Sequence, residues 1–274
     1  MFINHWHVFP EGTIDRAQVP YVLGSGSLAE VADIMNSAGI ARAIAFAPGI
    51  SCMAEDTWYR IKCRTERECN EWLYQSLKQH GNITGFVAVN PKNPDCVAVL
   101  NEYFKKGFRG VKLHPPCCQI RLDDQRYDEY YRAIENSGLP LAIHTGVHGW
   151  QPENYVPALL GNVAKKFPGL KMILEHVGGN EYFGQALAVL VNNRNCYAGL
   201  TQNSGRCARY HLSREKINVL LEKVGVDRMI YGLDYPWNSD KQGLLDDIRW
   251  VSGWGLRQSE QDKVLGGNLE RLIS

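Results

Sequence analysis

Two histidines, His5 and His7, stand two residues apart near the start of the chain, inside the largely apolar run Met1–Phe9. On a strand, residues i and i+2 face the same side. The two imidazoles would then stand together, with Trp6 on the opposite face. Paired neutral imidazoles suit a zinc, manganese or iron ion. Two histidines alone would serve equally well as core residues with satisfied hydrogen bonds, so what matters is which other ligands reach the same place. Further reactive side chains recur in one setting, at the end of an apolar run and just before Gly, Pro or a loop. Lys112 and His114 close Gly110–His114, and His144 closes Leu139–His144. His176 closes Leu170–His176, and Asp234 closes Arg228–Asp234. Five of the eight histidines sit at such ends, a placement that histidines scattered through a core would not share.

The elements that must position them alternate along the chain. The first strand is followed by a polar loop from Pro10 to about Gly26. Ser27 and Glu30 have capping-box spacing and open a helix that stops near Gly39. Apolar runs at 41–47, 83–89, 110–114, 139–144, 170–176, 196–200 and 228–234 read as strands buried on both faces. Helices are expected at 65–79, 95–106, 125–137, 157–167, 181–191 and 213–224, with two more near 244–251 and 260–272. Residues 50–64 read as a loop. Eight strands alternating with helices in one chain of 274 residues predict an α/β fold, a single (β/α)8 TIM barrel spanning residues 1–274. In such a barrel the strand ends converge on one mouth, where active sites lie. A doubly wound sheet is the competitor, but no strand is followed by Gly-x-Gly-x-x-Gly, and no phosphate-binding Gly-x-x-x-x-Gly-Lys-Ser/Thr loop occurs.

Composition narrows the function. A formal net charge of +1 gives no reason to expect a nucleic-acid or membrane partner. No apolar run approaches the roughly 18 residues of a membrane helix. There is no basic region followed by an apolar stretch at the N-terminus, and a cleaved leader would remove His5 and His7. The eight cysteines form no Cys-x-x-Cys pair, and adjacent Cys117 and Cys118 could close only a strained disulfide. Free thiols and a cytoplasmic location are therefore expected.

The strand-end residues occur in a recognisable order: His5-Trp6-His7, Gly110-Val-Lys-Leu-His-Pro-Pro116, Ala142-Ile-His-Thr-Gly146, Leu174-Glu-His-Val-Gly-Gly179 and Tyr231-Gly-Leu-Asp-Tyr-Pro236. With the tail Gly266-Gly-Asn-Leu-Glu-Arg-Leu272, this order resembles the amidohydrolase superfamily, in the branch called amidohydrolase family 2, over most of the chain. The family often has Asp two residues before the first histidine, where this chain has Ile3.

The resemblance implies roles. His5, His7 and His144 are expected as nitrogen ligands to one divalent metal ion. Asp234 is expected as the carboxylate ligand and as a proton acceptor. His176 is expected as a nearby acid, base or substrate-polarising donor. Zinc is the first expectation for the ion and manganese the second. Three nitrogens and a carboxylate leave a position open for water, whose pKa the metal can lower from about 15.7 toward about 7. Lys112 is expected to bind a substrate carboxylate, although some superfamily members carboxylate the equivalent lysine to bridge two metals. His114 is read as polar lining, and His148 and Trp150 as the rim of the pocket. Arg206, Arg209 and His211 form a basic loop that could be solvated or bind an anion. Nucleophilic use of Cys117 or Cys118 is not expected, since the sequence puts no base beside them. The resulting expectation is a metal-dependent hydrolase of a small organic molecule with an amide, ester or lactone group. The alternative is a nonoxidative decarboxylase of a small unsaturated or aromatic acid, and the branch also includes a metal-independent lactonase. The resemblance makes a homodimer plausible.

Overall fold

The structure, a computed structural model, describes residues 1–14, 22–49, 65–237 and 239–274. Eight strands follow one another: β1 (Phe2–His7), β2 (Arg42–Phe46), β3 (Ile83–Ala88), β4 (Val111–Leu113), β5 (Leu141–His144), β6 (Met172–Glu175), β7 (Cys196–Thr201) and β8 (Met229–Tyr235). Each pairs in parallel with the next, and β8 returns to pair with β1, closing a (β/α)8 barrel. Closure removes the free strand edges that an open sheet would expose. The helices around the barrel are α1 (Leu28–Ala38), α2 (Glu66–Leu77), α3 (Cys96–Lys105), the short α4 (Pro115–Cys118), α5 (Asp128–Ser137), α6 (Leu159–Lys166), α7 (Gly179–Asn192), α8 (Arg214–Lys223), α9 (Lys241–Ser252), α10 (Gln258–Asp262) and α11 (Asn268–Ile273).

Strand alternation divides the apolar side chains into two sets. Ile3, Trp6, Ala43, Ala45, Val87, Val111, Leu174 and Leu200 face outward and pack with the helices. Phe2, Ile44, Phe46, Phe86, Ala142, Ile173 and Ile230 point inward and meet Leu269, Leu272 and Ile273 of α11. The last helix thus closes the N-terminal end of the barrel. At the other end the inward side chains become polar, and the mouth lies there.

Local chemistry explains most boundaries. The Ser27 hydroxyl accepts from the Glu30 amide at 3.2 Å and caps α1, while the Glu30 carboxylate accepts from the Ser25 amide at 2.7 Å. Gly39 takes the left-handed conformation that ends the helix. Two expected elements differ. The helix expected over 260–272 is broken by a wide turn at Lys263–Gly267. There Gly266 has φ 154°, and a Cβ on it would lie 2.5 Å from the backbone nitrogen of Phe2. This close approach of backbone to β1 requires glycine. The strand expected to include His176 stops at Glu175, and His176 begins a short turn with φ 65°. The expected loop at 50–64, Cys52, Cys63 and part of the loop at 10–26 lie outside the described residues. Cys69, Cys96, Cys117, Cys118, Cys196 and Cys207 are free thiols. Among the described residues, no helix is long and apolar enough to cross a membrane.

Two glycines give opposite expectations. Gly266→Ala should destabilise the protein by roughly 1–3 kcal/mol or more, through overpacking and a strained φ. Gly184, inside α7 with nothing within 4 Å of a built Cβ, should gain about 0.5–1 kcal/mol on replacement by Ala. Urea unfolding of both variants checks this, and an unaltered midpoint for Gly266→Ala would contradict the role assigned to the turn.

Candidate metal centre at the barrel mouth

The backbone at the mouth is irregular where the reactive residues sit. The pairing register shifts between Ile3 and Trp6 on the β2 side, and between Asn4 and Trp6 on the β8 side. His5, His176, Val177, Gln202 and Asp234 all have positive φ between 49° and 69°. Non-glycine residues in this region cost of order 1–3 kcal/mol each and persist only where the surroundings fix them. Here the closed barrel supplies that constraint, and the bulges re-aim side chains toward the axis.

Three donor atoms converge. His5 Nε2, His7 Nε2 and Asp234 Oδ1 are each 3.2 Å from the other two. Donors held about 2.1 Å from one cation stand about 3.0–3.4 Å apart, so the triangle matches the spacing of three ligands. Phe46 forms its floor, with its ring 4.8 Å from that of His5 and 5.4 Å from that of His7. Trp6 is buried behind the pair against Tyr235, ring centroids 5.5 Å apart.

The tautomer of His5 is set from across the barrel. Glu175, wholly buried at the end of β6, has Oε2 at 3.0 Å from His5 Nδ1. It also accepts from Thr201 Oγ1 at 2.6 Å and from Asn4 Nδ2 at 2.8 Å. The proton of His5 is thereby held on Nδ1, leaving the Nε2 lone pair toward the triangle. Lys112 Nζ donates to that Nε2 at 3.1 Å, which a proton on Nε2 would forbid. The lone pair of His5 and the Asp234 carboxylate are therefore two acceptors facing one another, and positive charge is what such a pair calls for. The donor set fits a divalent cation.

Burial and neighbouring charge set the protonation states. Burial would raise the Asp234 carboxyl, but His5, His7 and His176 outweigh it and hold it well below its usual value. Burial would likewise raise Glu175, yet His5, Lys112 and Thr201 bring it down to about 2. Burial lowers His7 and His176 to about 4, against the pull of Asp234. His176 Nδ1 donates to the Thr201 carbonyl at 2.9 Å. Its Nε2 lone pair then lies 4.0 Å from Asp234 Oδ2, so in this state His176 is a proton acceptor.

The remaining expected residues lie around the mouth but outside the triangle. The Nε2 of His144 faces the Gly146 carbonyl at 3.1 Å instead of the triangle. Its ring stacks on His114 at 4.1 Å and meets His176 edge-on at 4.7 Å. His148 is exposed, with its ring 4.8 Å from that of His114. Trp150, on the same loop, stacks on Tyr155 at 6.3 Å. Arg206 is not a solvated loop cation. It pairs with buried Asp247 of α9 and donates to Ser239 at 2.7 Å, pinning the loop after β7. Arg209 is exposed, and its guanidinium reaches the Val147 carbonyl at 3.4 Å. Sequence reasoning missed Glu175, Thr201 and Asn4. The readable signal was a carboxylate and an amide inside runs otherwise apolar. Glycine makes their room: a Cβ at Gly199 would lie 2.5 Å from Glu175 Oε2, and one at Gly232 would lie 2.5 Å from Thr201 Oγ1.

Two outcomes follow from these contacts. Glu175→Gln can present an amide N–H to His5 Nδ1, favouring the other tautomer and blocking Nε2. Affinity for added zinc should fall about 10–100-fold with the fold kept, as competition with a chelator and circular dichroism would read. Unaltered affinity would remove the orienting role. In metal-free protein, His7 and His176 titrate near 4 when folded and near 6.5 when unfolded. The unfolded state therefore takes up protons first as pH falls. Stability should be full above about 6.5 and decline toward about 4, by roughly 1.4 kcal/mol per pH unit for each group. Urea midpoints that stay flat from pH 6.5 to 5 would contradict this.

Comparison with known proteins places the chain in a family. Solved structures sharing the fold include an uncharacterised TIM-barrel protein from Bordetella bronchiseptica, at 19% identity and TM-score 0.76, covering 100% of this chain and 98% of that one. Another is a probable 2-pyrone-4,6-dicarboxylic acid hydrolase from Acinetobacter baumannii with citric acid bound, at 14% identity and TM-score 0.70, covering 99% and 98%. A third is a dihydroxybenzoic acid decarboxylase from a Polaromonas species with bound manganese and 2-nitroresorcinol, at 15% identity and TM-score 0.69, covering 99% and 96%. At these identities the likeness concerns the fold alone. No curated protein matches the chain in sequence. The amidohydrolase family model, however, matches residues 27–273, and the chain belongs to the amidohydrolase family.

Proposed function

We propose that this amidohydrolase is a metal-dependent hydrolase of a small organic substrate carrying an amide, ester or lactone group. The observation that carries the reading is the Asp234 carboxylate, shared by His5 and His7 at 3.2 Å and faced by the neutral Nε2 of His176. His5, His7 and Asp234 would hold the ion, zinc in the first place and manganese in the second. His144, which the resemblance offers as a further ligand, has its ring 4.7 Å from that of His176. When bound, the ion supplies Lewis-acid polarisation of a substrate oxygen and acidifies water. Asp234, kept ionised, takes a proton from the attacking water. His176, neutral and with its Nε2 lone pair toward Asp234, can relay that proton toward a leaving group. Glu175 keeps His5 in one tautomer throughout. Lys112, buried beneath the mouth with its Nζ 4.9 Å from the Phe46 ring centroid, offers a positive charge to a substrate carboxylate. His114, His148 and Trp150 would line the approach.

A second reading, nonoxidative decarboxylation, draws on one specific feature. The stacked His114 and His144 rings beside the Lys112 cation suit a flat unsaturated ring bearing a carboxylate. Incubation with a panel of lactones and of aromatic carboxylates separates the two. Ring opening or release of an alcohol supports hydrolysis, whereas carbon dioxide released from an intact ring supports the second reading.

On a verified substrate, Asp234→Asn should lower turnover about 10²–10⁴-fold, because a positioned proton acceptor is lost. Metal content should fall only partly, since two imidazoles remain. His176→Asn should slow turnover while leaving metal content nearly intact. Near-normal turnover and full metal in Asp234→Asn would overturn the mechanism.

A further inference from the structure

We propose that His114, Cys117 and His148 form a second cation site, on the rim of the mouth, for a thiophilic divalent ion of the zinc class. One donor atom from each of the three lies within 4.8 Å of the other two. The first centre, made by His5, His7 and Asp234, shares none of these residues.

The local build favours chelation. His114 is the N-cap of α4, and Cys117 lies three residues on, so the His-x-x-Cys pair stands on one side of a single turn. Spacings of this length recur in structural zinc sites. Pro115 and Pro116 begin the turn and fix its backbone before any ion arrives. The third donor comes from another element, since His148 lies on the loop after β5. That loop is held close by Tyr155, whose hydroxyl accepts from the His148 amide at 3.0 Å and donates to its carbonyl at 2.7 Å.

The contact between His114 and Cys117 is one that an ion can displace. His114 Nδ1 accepts from the Cys117 amide at 3.4 Å, a long hydrogen bond that a metal bond would readily replace. Cys117 is partly exposed and reduced, and His148 is exposed, so the site opens to solvent and a water can complete a tetrahedron. Binding replaces the Cys117 S–H bond with a sulfur–metal bond and releases one proton to solvent, with no redox change.

Donor chemistry separates the two centres. Two imidazoles and a thiolate, with no carboxylate, favour zinc, cobalt or cadmium over manganese or magnesium. The triangle with Asp234 tolerates harder ions. An occupied rim site would tie the loop after β5 to the turn after β4 and so narrow one side of the mouth.

Cobalt(II) titration of the reduced, metal-free protein tests the assignment, because a thiolate-to-cobalt charge-transfer band requires a sulfur ligand and the first centre has none. The parent should show the band and bind one more cobalt than the Cys117→Ser variant, which should lack the band. His148→Ala should weaken the cobalt affinity of this band at least about 10-fold. Cys207→Ser, which replaces another partly exposed thiol, should retain it. No band in the parent, or a band that survives Cys117→Ser, would overturn the proposal. The readout needs no substrate and is independent of the reaction assigned to the first centre.

Discussion

Asp234 sits at the end of β8 inside a closed barrel, buried yet ionised, and the mouth is arranged around that charge. Moving a carboxylate out of water is costly unless opposite charge or hydrogen bonds replace the lost solvation. His7 on β1 can donate to Asp234, Lys112 on β4 places positive charge near His5, and the lone pairs of His5 and His176 that also face Asp234 leave the remaining demand to a bound cation. A second buried carboxylate, Glu175, lies on the far side of His5 and would be as costly without Thr201 and Asn4. His5 thus lies between two carboxylates, and the strands that carry these groups must keep their registers. A slip by one residue would turn every inward group outward.

The apolar body of the barrel is what keeps those registers. Phe46 and Phe86 form a layer directly below the polar groups, with ring centroids 5.7 Å apart. Below them α11 seals the opposite end with Leu269, Leu272 and Ile273. This packing also holds His5, His176 and Asp234 in a backbone region that their side chains disfavour. Releasing the strain would mean unpairing strands that have no free edge to move toward. The cost of the mouth is thus borne by the core, and this is a reason for reactive residues to gather where strands end instead of in their middles.

Much of this was readable from spacing. Short apolar runs alternating with helices identified all eight strands, because each strand is short, buried on both faces and ended by Gly, Pro or a loop. The strand-end residues His5, His7, Lys112, His114, His144, His176 and Asp234 do converge at one mouth. What pattern alone could not settle was direction. His5 and His7 meet through a bulge with His5 at φ 69°, not through simple strand alternation. His144 also ends a strand, yet its Nε2 faces the Gly146 carbonyl, because ring orientation depends on hydrogen bonds that no spacing encodes. Arg206 reads as a loop cation until the chain folds α9 back and brings Asp247 to it. The break at Gly266 has the same origin, since the partner that demands glycine is Phe2, at the other end of the sequence.

Ile3 shows how a missing group can be replaced from a distance. The family this chain resembles often has an aspartate two residues before the first histidine, and the apolar Ile3 of this chain would leave the imidazole unoriented if orientation came only from its own strand. Ile3 is instead fully buried in the outer core, where a carboxylate would have no solvent. The orienting carboxylate comes from β6, where Glu175 stands immediately before His176. The last residue of β6 and the one just after it therefore serve the two sides of the triangle. Glu175 fixes the proton of His5, and His176 faces Asp234. A shift of β6 would disturb the tautomer of one ligand and the proton acceptor beside the other together. Gly199 on β7 then becomes part of the same device, because only a residue without Cβ leaves the Glu175 carboxylate its place. The centre is consequently a property of four strands, β1, β6, β7 and β8, although its three converging donors come from two.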